Sequence, residues 1–185
     1  IMNALGADDF TLKATVKFGG NNQMGVQMYT DYWMGGVGVD VNSWGGQLRV
    51  GFMDGTNKLA TDFCWAEPVA DDATVEHTIV LSLKVGGKVN VYCDGALKAS
   101  VDCKSDFTLT GSPIPFALGG AVWGGGLQGN GVVGTMKDVR LYKTAVNEVG
   151  AHSLFVFGEL FKADLGDQKV IDPIMSYPFA DAENP

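Results

Sequence analysis

Residues Ile79-Val-Leu-Ser-Leu-Lys-Val-Gly-Gly-Lys-Val-Asn-Val-Tyr-Cys-Asp-Gly-Ala-Leu-Lys-Ala-Ser-Val-Asp-Cys103 decide the fold. Ile79, Leu81, Leu83 and Val85 alternate with Ser82 and Lys84, and Val89, Val91 and Cys93 alternate with Lys88, Asn90 and Tyr92. A period of two gives each strand one apolar and one wetter face. Gly86-Gly87 separates the first two runs and Asp94-Gly95 the second from Leu97, Ala99, Val101 and Cys103, so the stretch reads as two consecutive hairpins. A three-residue loop over Asp94 to Ala96 would set Val91 opposite Ala99 and Cys93 opposite Leu97, keeping apolar faces matched. A two-residue loop would flip them. The longer loop is expected.

The same alternation extends outward. Phe10, Leu12, Ala14, Val16 and Phe18 alternate with Thr11, Lys13, Thr15 and Lys17. Further strand candidates are Gly25 to Tyr29, Gly36 to Val41, Gln47 to Met53, Leu59 to Trp65, Phe116 to Gly119 and Gly134 to Tyr142, most of them bounded by turn residues. About ten strands at this spacing predict an all-β, two-sheet antiparallel sandwich. One short helix is expected near the C-terminus, capped by Asn147 and running through Ser153, with Val146, Val149 and Leu154 near helical spacing. The chain has 185 residues, enough for one domain with a sizeable core. Residues 1–162 are assigned to that domain. Residues 163–185 read as an acidic, proline-containing tail or linker packed on it, because Ile171, Ile174, Met175, Tyr177 and Phe179 favour draping over disorder.

Composition narrows the function classes. Gly numbers 26, and Lys plus Arg total 13 against 21 Asp plus Glu, a net charge of −8. A phosphate backbone or anionic bilayer would be repelled, so nucleic acid is not an expected partner. No apolar run approaches the roughly 20 residues of a membrane-spanning helix, so membrane insertion and a signal peptide are not expected. Beginning at Ile1, the chain is expected to be a mature or excised piece of something larger.

Three segments carry a family resemblance: Phe10-Thr-Leu-Lys-Ala-Thr-Val-Lys17; Glu76-His-Thr-Ile-Val-Leu81 leading into Asn90-Val-Tyr-Cys-Asp-Gly-Ala-Leu97; and Gly119-Gly120 ahead of Gly134-Thr-Met-Lys-Asp-Val-Arg-Leu-Tyr142. Their order resembles the concanavalin A-like, laminin-G-like jelly-roll superfamily over residues 5–162. Asp9 to Val16 and Val139 to Phe161 are most similar to the lectin-like domain that follows the catalytic propeller of trypanosomal sialidases and trans-sialidases. The resemblance implies a jelly roll and a non-catalytic, carbohydrate-binding or adhesion module of a cell-surface or secreted protein. It also leaves open a calcium ion held by loop oxygens, for which Asp31, Asp54, Asn57 and Asp62 are available; no other cofactor is expected.

The residues themselves give a consistent chemistry. Retaining glycosidases need two carboxylates about 5 Å apart, and no strand supplies such a pair: Asp40 is the sole acid between Gly36 and Val41, and its face carries Gly38. Only Arg49 and Arg140 are available to grip a carboxylate ligand, and Arg140 is expected to pair with a neighbouring acid. A non-enzyme is expected, with a glycoside hydrolase the minor alternative. Trp33 after Asp31-Tyr32, Trp44 after Asn42-Ser43 and Trp123 before three glycines place aromatic rings beside polar groups. An indole face covers a sugar's apolar face while amides and carboxylates take its hydroxyls. The candidate ligand-binding residues are therefore Asp31, Tyr32, Trp33, Asn42, Trp44 and Trp123; the plainer reading is that these rings fill or cap the core. Phe155, Phe157, Leu160 and Phe161 form the expected surface of the alternative, a structural module docking on an adjacent protein domain. Cys64, Cys93 and Cys103 with His77 and His152 have no zinc-binding spacing. Cys93 ends one strand of its hairpin and Cys103 the far end of the strand returning from Leu97, roughly 20 Å long at about 3.3 Å per residue, too far for a bond, so any disulfide would involve Cys64.

Overall fold

The computed structural model describes residues 1–29, 37–59, 67–111, 116–123, 126–127, 131–161 and 170–177. Two antiparallel sheets face one another. The six-stranded sheet runs, edge to edge, β15 (Met175–Tyr177), β12 (Gly134–Tyr142), β1 (Phe10–Phe18), β6 (His77–Leu83), β7 (Lys88–Cys93) and β8 (Ala96–Asp102). The five-stranded sheet runs β5 (Glu67–Ala70), β4 (Gln47–Met53), β3 (Gly38–Trp44), β2 (Gln23–Tyr29) and β9 (Ala117–Leu118). Two short pairs complete the strands: β10 (Val122–Trp123) with β11 (Gly126–Leu127), and β13 (Leu160–Phe161) with β14 (Val170–Ile171). The helices are α1 (Met2–Leu5) and α2 (Glu148–Val156). The arrangement is the all-β jelly-roll sandwich expected from the alternation.

Period-two patterning builds the core directly. Phe10, Leu12, Ala14, Val16 and Phe18 from β1 and Ile79, Leu81 and Leu83 from β6 are buried against Val26 and Met28 of β2, Val39 and Val41 of β3, and Leu48, Val50 and Phe52 of β4. A smaller cluster lies on the other side of the six-stranded sheet. There Val80, Tyr92 and Tyr142 meet Val146, Ala151, Leu154 and Leu160 beneath α2. Thr11 and Ser82, both buried, tie this layer down: their hydroxyls donate to the carbonyls of Thr144, at 2.6 Å, and Val146, at 2.7 Å. Asn147 caps α2 by accepting the Gly150 amide proton at 2.9 Å.

Three expectations need correction. The turn after β7 has two residues, not three: Asp94 and Gly95 adopt φ of 52° and 79°, the left-handed pair of a tight hairpin turn. Cys93 therefore pairs with Ala96 and Tyr92 with Leu97, while a bulge restores the pairing of Val91 with Ala99. Leu97 is consequently exposed. The helix runs past Ser153 to Val156, and Val149 points to solvent, 62% exposed. Of the four residues expected to form a docking surface, Leu160 is buried in the α2 cluster and Phe161 is half-buried, because both lie on β13 rather than on the helix; Phe155 and Phe157 are exposed. The candidate strand Leu59 to Trp65 lies mostly outside the described residues, and β5 begins just after them.

Cys93 and Cys103 are buried and unbonded. Burial pushes the two thiols up, to about 12 and about 11. Cys64 lies outside the described residues. No helix among the described residues is long and apolar enough to cross a membrane.

Candidate functional site

The face of the five-stranded sheet turned away from the core is polar. Because Val39 and Val41 point inward, Gly38, Asp40, Asn42 and Trp44 share the opposite face of β3. The register places Gln27 of β2 and Gly51 of β4 on either side of Asp40, and Arg49 beside Asn42. Tyr29, two residues along from Gln27, reaches the same patch. Gln27, Tyr29 and Asp40 are each 2% exposed and Asn42 is 8% exposed.

Asp40 is the hub. Tyr29 Oη donates to Oδ2 and Asn42 Nδ2 donates to Oδ1 at 2.5 Å. Gly51 leaves room for the carboxylate, since a Cβ there would lie 2.5 Å from Oδ2. Burial raises the Asp40 carboxyl to about 6, against the opposing pull of hydrogen bonds from Tyr29, Asn42 and the Gly51 backbone. The residues that surround it by register and hydrogen bonding are Gln27, Tyr29, Asn42 and Gly51, none of them acidic.

The rim is held by complementary polar contacts. Gln27 Nε2 donates to the Val122 carbonyl at 3.0 Å and its Oε1 accepts the Val122 amide proton at 2.7 Å, fixing β10 over the edge of the face. Arg49 Nη2 donates to Gln47 Oε1 at 2.6 Å. Trp44 is half-buried at the end of β3, just before a tight turn in which Gly45 and Gly46 take φ of 63° and 80°.

Of the six expected binding residues, the structure brings Asn42 and Trp44 onto one face and places the Trp123 backbone in β10, beside Val122. Trp44 ends a strand rather than sitting in a loop. Asp31, Tyr32 and Trp33 lie outside the described residues, as does the Trp123 side chain. Gln27 and Tyr29 were missed as site residues because only register links β2 to Asp40. The available signal was a polar Asp40 between two inward valines. Asp54, one of the four suggested calcium ligands, already accepts from the amides of Thr56, Asn57 and Lys104 at 2.9, 2.6 and 2.7 Å, and these bonds hold its carboxyl below the ordinary value. Asn57 Nδ2 also donates to it, so these two residues form a turn. Asp31 and Asp62 lie outside the described residues.

A sandwich of two antiparallel sheets with a polar outer face, edged by a short strand pair, defines a lectin-type jelly roll. A family model described as the concanavalin A-like lectin/glucanases superfamily matches residues 2–149, and the chain belongs to that superfamily. No curated protein sequence matches it significantly. Among solved structures it is similar to a heptameric SAP-like pentraxin from Limulus polyphemus, at 12% identity and a TM-score of 0.59 over 95% of this chain and 81% of that one. It is also similar to the IT-sialidase CBM40 of Ruminococcus gnavus bound to α2,3-sialyllactose, at 13% identity and a TM-score of 0.58 over 83% of this chain and 85% of that one. A third is domain 4 of an extracellular arabinanase from Geobacillus stearothermophilus in complex with arabinotriose, at 17% identity and a TM-score of 0.53 over 80% and 69%. At these identities the likeness is one of fold.

Proposed function

We propose that the chain is a non-catalytic carbohydrate-binding module and that its ligand is a glycan held on the outer face of the five-stranded sheet. The observation that carries this reading is the Asp40 cluster: a buried carboxylate fixed by Tyr29 and Asn42, on the same strand face as Trp44. The buried cluster braces the strand face from within, and the half-buried indole of Trp44 at its edge covers a sugar's apolar face. Trp33, Trp123, Tyr32 and Asp31 join Trp44 and Asn42 as the proposed contacts. Two of the structural neighbours are described with bound glycans, which supports the ligand class. The lack of a second acid among the described residues around Asp40 supports binding without cleavage. We place the module outside the cell or on its surface, as part of a larger, sialidase-like protein.

The test is a glycan array that includes sialylated and arabinose oligosaccharides, followed by titration of the hits. Binding should weaken about tenfold or more, a loss near 1.4 kcal/mol, in Trp44→Ala with the fold intact by circular dichroism. A blank array at saturating protein sinks the reading. Docking on an adjacent domain is the alternative, and the observation that favours it is the exposure of Phe155 and Phe157 on and beside α2, 39% and 68%. Phe157→Ser would then weaken association with that domain while Trp44→Ala would not.

A further inference from the structure

A second set of ligating side chains sits at one end of the six-stranded sheet, on the β6–β7 hairpin. His77 opens β6, Cys93 closes β7 and Asp94 begins the turn that follows. Ile79 pairs with Cys93, so His77 and Cys93 share the inward parity of Ile79, and Thr78 lies across from Asp94. The Asp94 amide donates to the Thr78 carbonyl at 2.9 Å, and the Thr78 amide donates to Asp94 Oδ1 at 2.9 Å. With φ at 52°, Asp94 folds its carboxylate back over the strand end. Its Oδ2 comes to 2.7 Å from His77 Nδ1 and 3.8 Å from Cys93 Sγ. One ligand atom from each residue lies within 4.8 Å of the other two. The group borders a cleft of about 390 Å³ that Pro68, Val69, Asp71 and Lys98 also line.

The gathering of a nitrogen, a sulfur and an oxygen donor at one point of the cleft is the deciding observation. His77 Nε2 stands 3.1 Å from the Asp72 carbonyl, and its Nδ1 stands 2.7 Å from the Asp94 carboxylate. The carbonyl contact at Nε2 is the arrangement that orients a histidine whose other nitrogen binds metal. A thiol beside the same carboxylate oxygen makes the donor set nitrogen, sulfur and oxygen, which suits a borderline-soft ion and does not suit calcium. Tetrahedral bonds of about 2.0–2.3 Å place ligand atoms roughly 3.3–3.8 Å apart, so His77 Nδ1 and Asp94 Oδ2, 2.7 Å apart, must separate to admit the ion, while Cys93 Sγ, 3.8 Å from Oδ2, closes slightly.

We propose that His77 Nδ1, Cys93 Sγ and the Asp94 carboxylate form a three-ligand site for a thiophilic divalent cation of the zinc class, with its fourth position open to the cleft. On binding, the cation replaces the Cys93 thiol proton and any proton on Nδ1, and these pass to solvent. The site is separate from the glycan face and does not depend on that reading.

The test is titration of the whole chain, reduced and metal-free, with zinc by calorimetry and with cobalt by absorption. Zinc should bind one to one, and cobalt should give a thiolate-to-metal charge-transfer band. Cys93→Ser should abolish the band, Cys103→Ser should leave it, and His77→Ala and Asp94→Asn should each weaken zinc binding more than about tenfold. The absence of both binding and band in the wild-type chain overturns the proposal. So does a band that persists in Cys93→Ser, which would assign the thiolate elsewhere. The wild-type cobalt spectrum keeps the test decisive if a variant fails to fold.

Discussion

Asp40 is where one residue's environment has the clearest consequence. The carboxyl ionises at an ordinary value of 3.8 in the unfolded chain and at about 6 in the folded one, chiefly because burial disfavours its charge. Between those values the folded chain holds the extra proton, so stability falls as pH rises through the window. The contribution is fully present below about 4 and gone above about 6, a change on the order of 3 kcal/mol. Asp40→Asn has no such charge to bury. Urea unfolding at pH 4, 6 and 8 should show the variant gaining on the wild type as pH rises; curves that stay parallel would refute the burial argument. Gly51→Ala tests the same carboxylate from the neighbouring strand. A methyl 2.5 Å from Oδ2 must push Asp40 off Tyr29 and Asn42. Glycan affinity should fall at least as far as in Trp44→Ala, with a stability loss of about 1–3 kcal/mol for overpacking.

Elements reveal which physical signals were readable in the chain. β1 and β4 begin and end where alternation placed them, because each keeps one apolar face over nine or seven residues, whereas β12 fills its expected span with a bulge at Asp138, φ 49°, that switches the buried parity from Met136 to Val139 and Leu141. The pairs β10–β11 and β13–β14 have two residues per strand, too few for any period to register. The turn after β7 shows a second limit: a three-residue loop and a two-residue turn followed by a bulge both bring Val91 opposite Ala99. Only backbone φ separates them. Part of the candidate face was legible for the same reason, since Asn42 and Trp44 follow Asp40 at a spacing of two, while Gln27 and Tyr29 reach it through register. His77 and Asp94 are 17 residues apart, and hairpin closure alone brings them together. Gly95→Ala probes that turn. At φ of 79°, with its new Cβ 3.0 Å from both His152 and Phe155, alanine should cost about 1–3 kcal/mol by urea denaturation. A change below 0.5 kcal/mol would mean that the turn relaxes freely. Asn147→Ala should cost about 1 kcal/mol, the worth of a helix cap.

At the scale of the whole molecule, the two sheets must also be closed at their ends, and Phe107 does this at one of them. It belongs to neither sheet, yet its ring lies 6.5 Å from that of Phe10, which begins β1 in the six-stranded sheet, and 6.0 Å from that of Phe52 on β4 in the five-stranded sheet. Loop contacts hold it there: the Lys104 amide donates to Asp54 Oδ2 at 2.7 Å, and the Leu109 amide donates to the Gly6 carbonyl at 2.9 Å. Phe107 thus couples β1, β4 and the segment behind α1 through one buried side chain. Truncation should cost more than an isolated loop residue would, because the flanking strands are hydrogen-bonded in their sheets and cannot collapse into the void. Phe107→Ala should lose about 3–5 kcal/mol in equilibrium urea unfolding, a large share of the roughly 5–15 kcal/mol typical of a domain. Phe107→Leu, which retains most of the volume, should lose much less. Equal losses for the two variants would assign the effect to ring–ring geometry rather than to the cavity, and a loss under 1 kcal/mol for alanine would show that the sheets hold together without this plug.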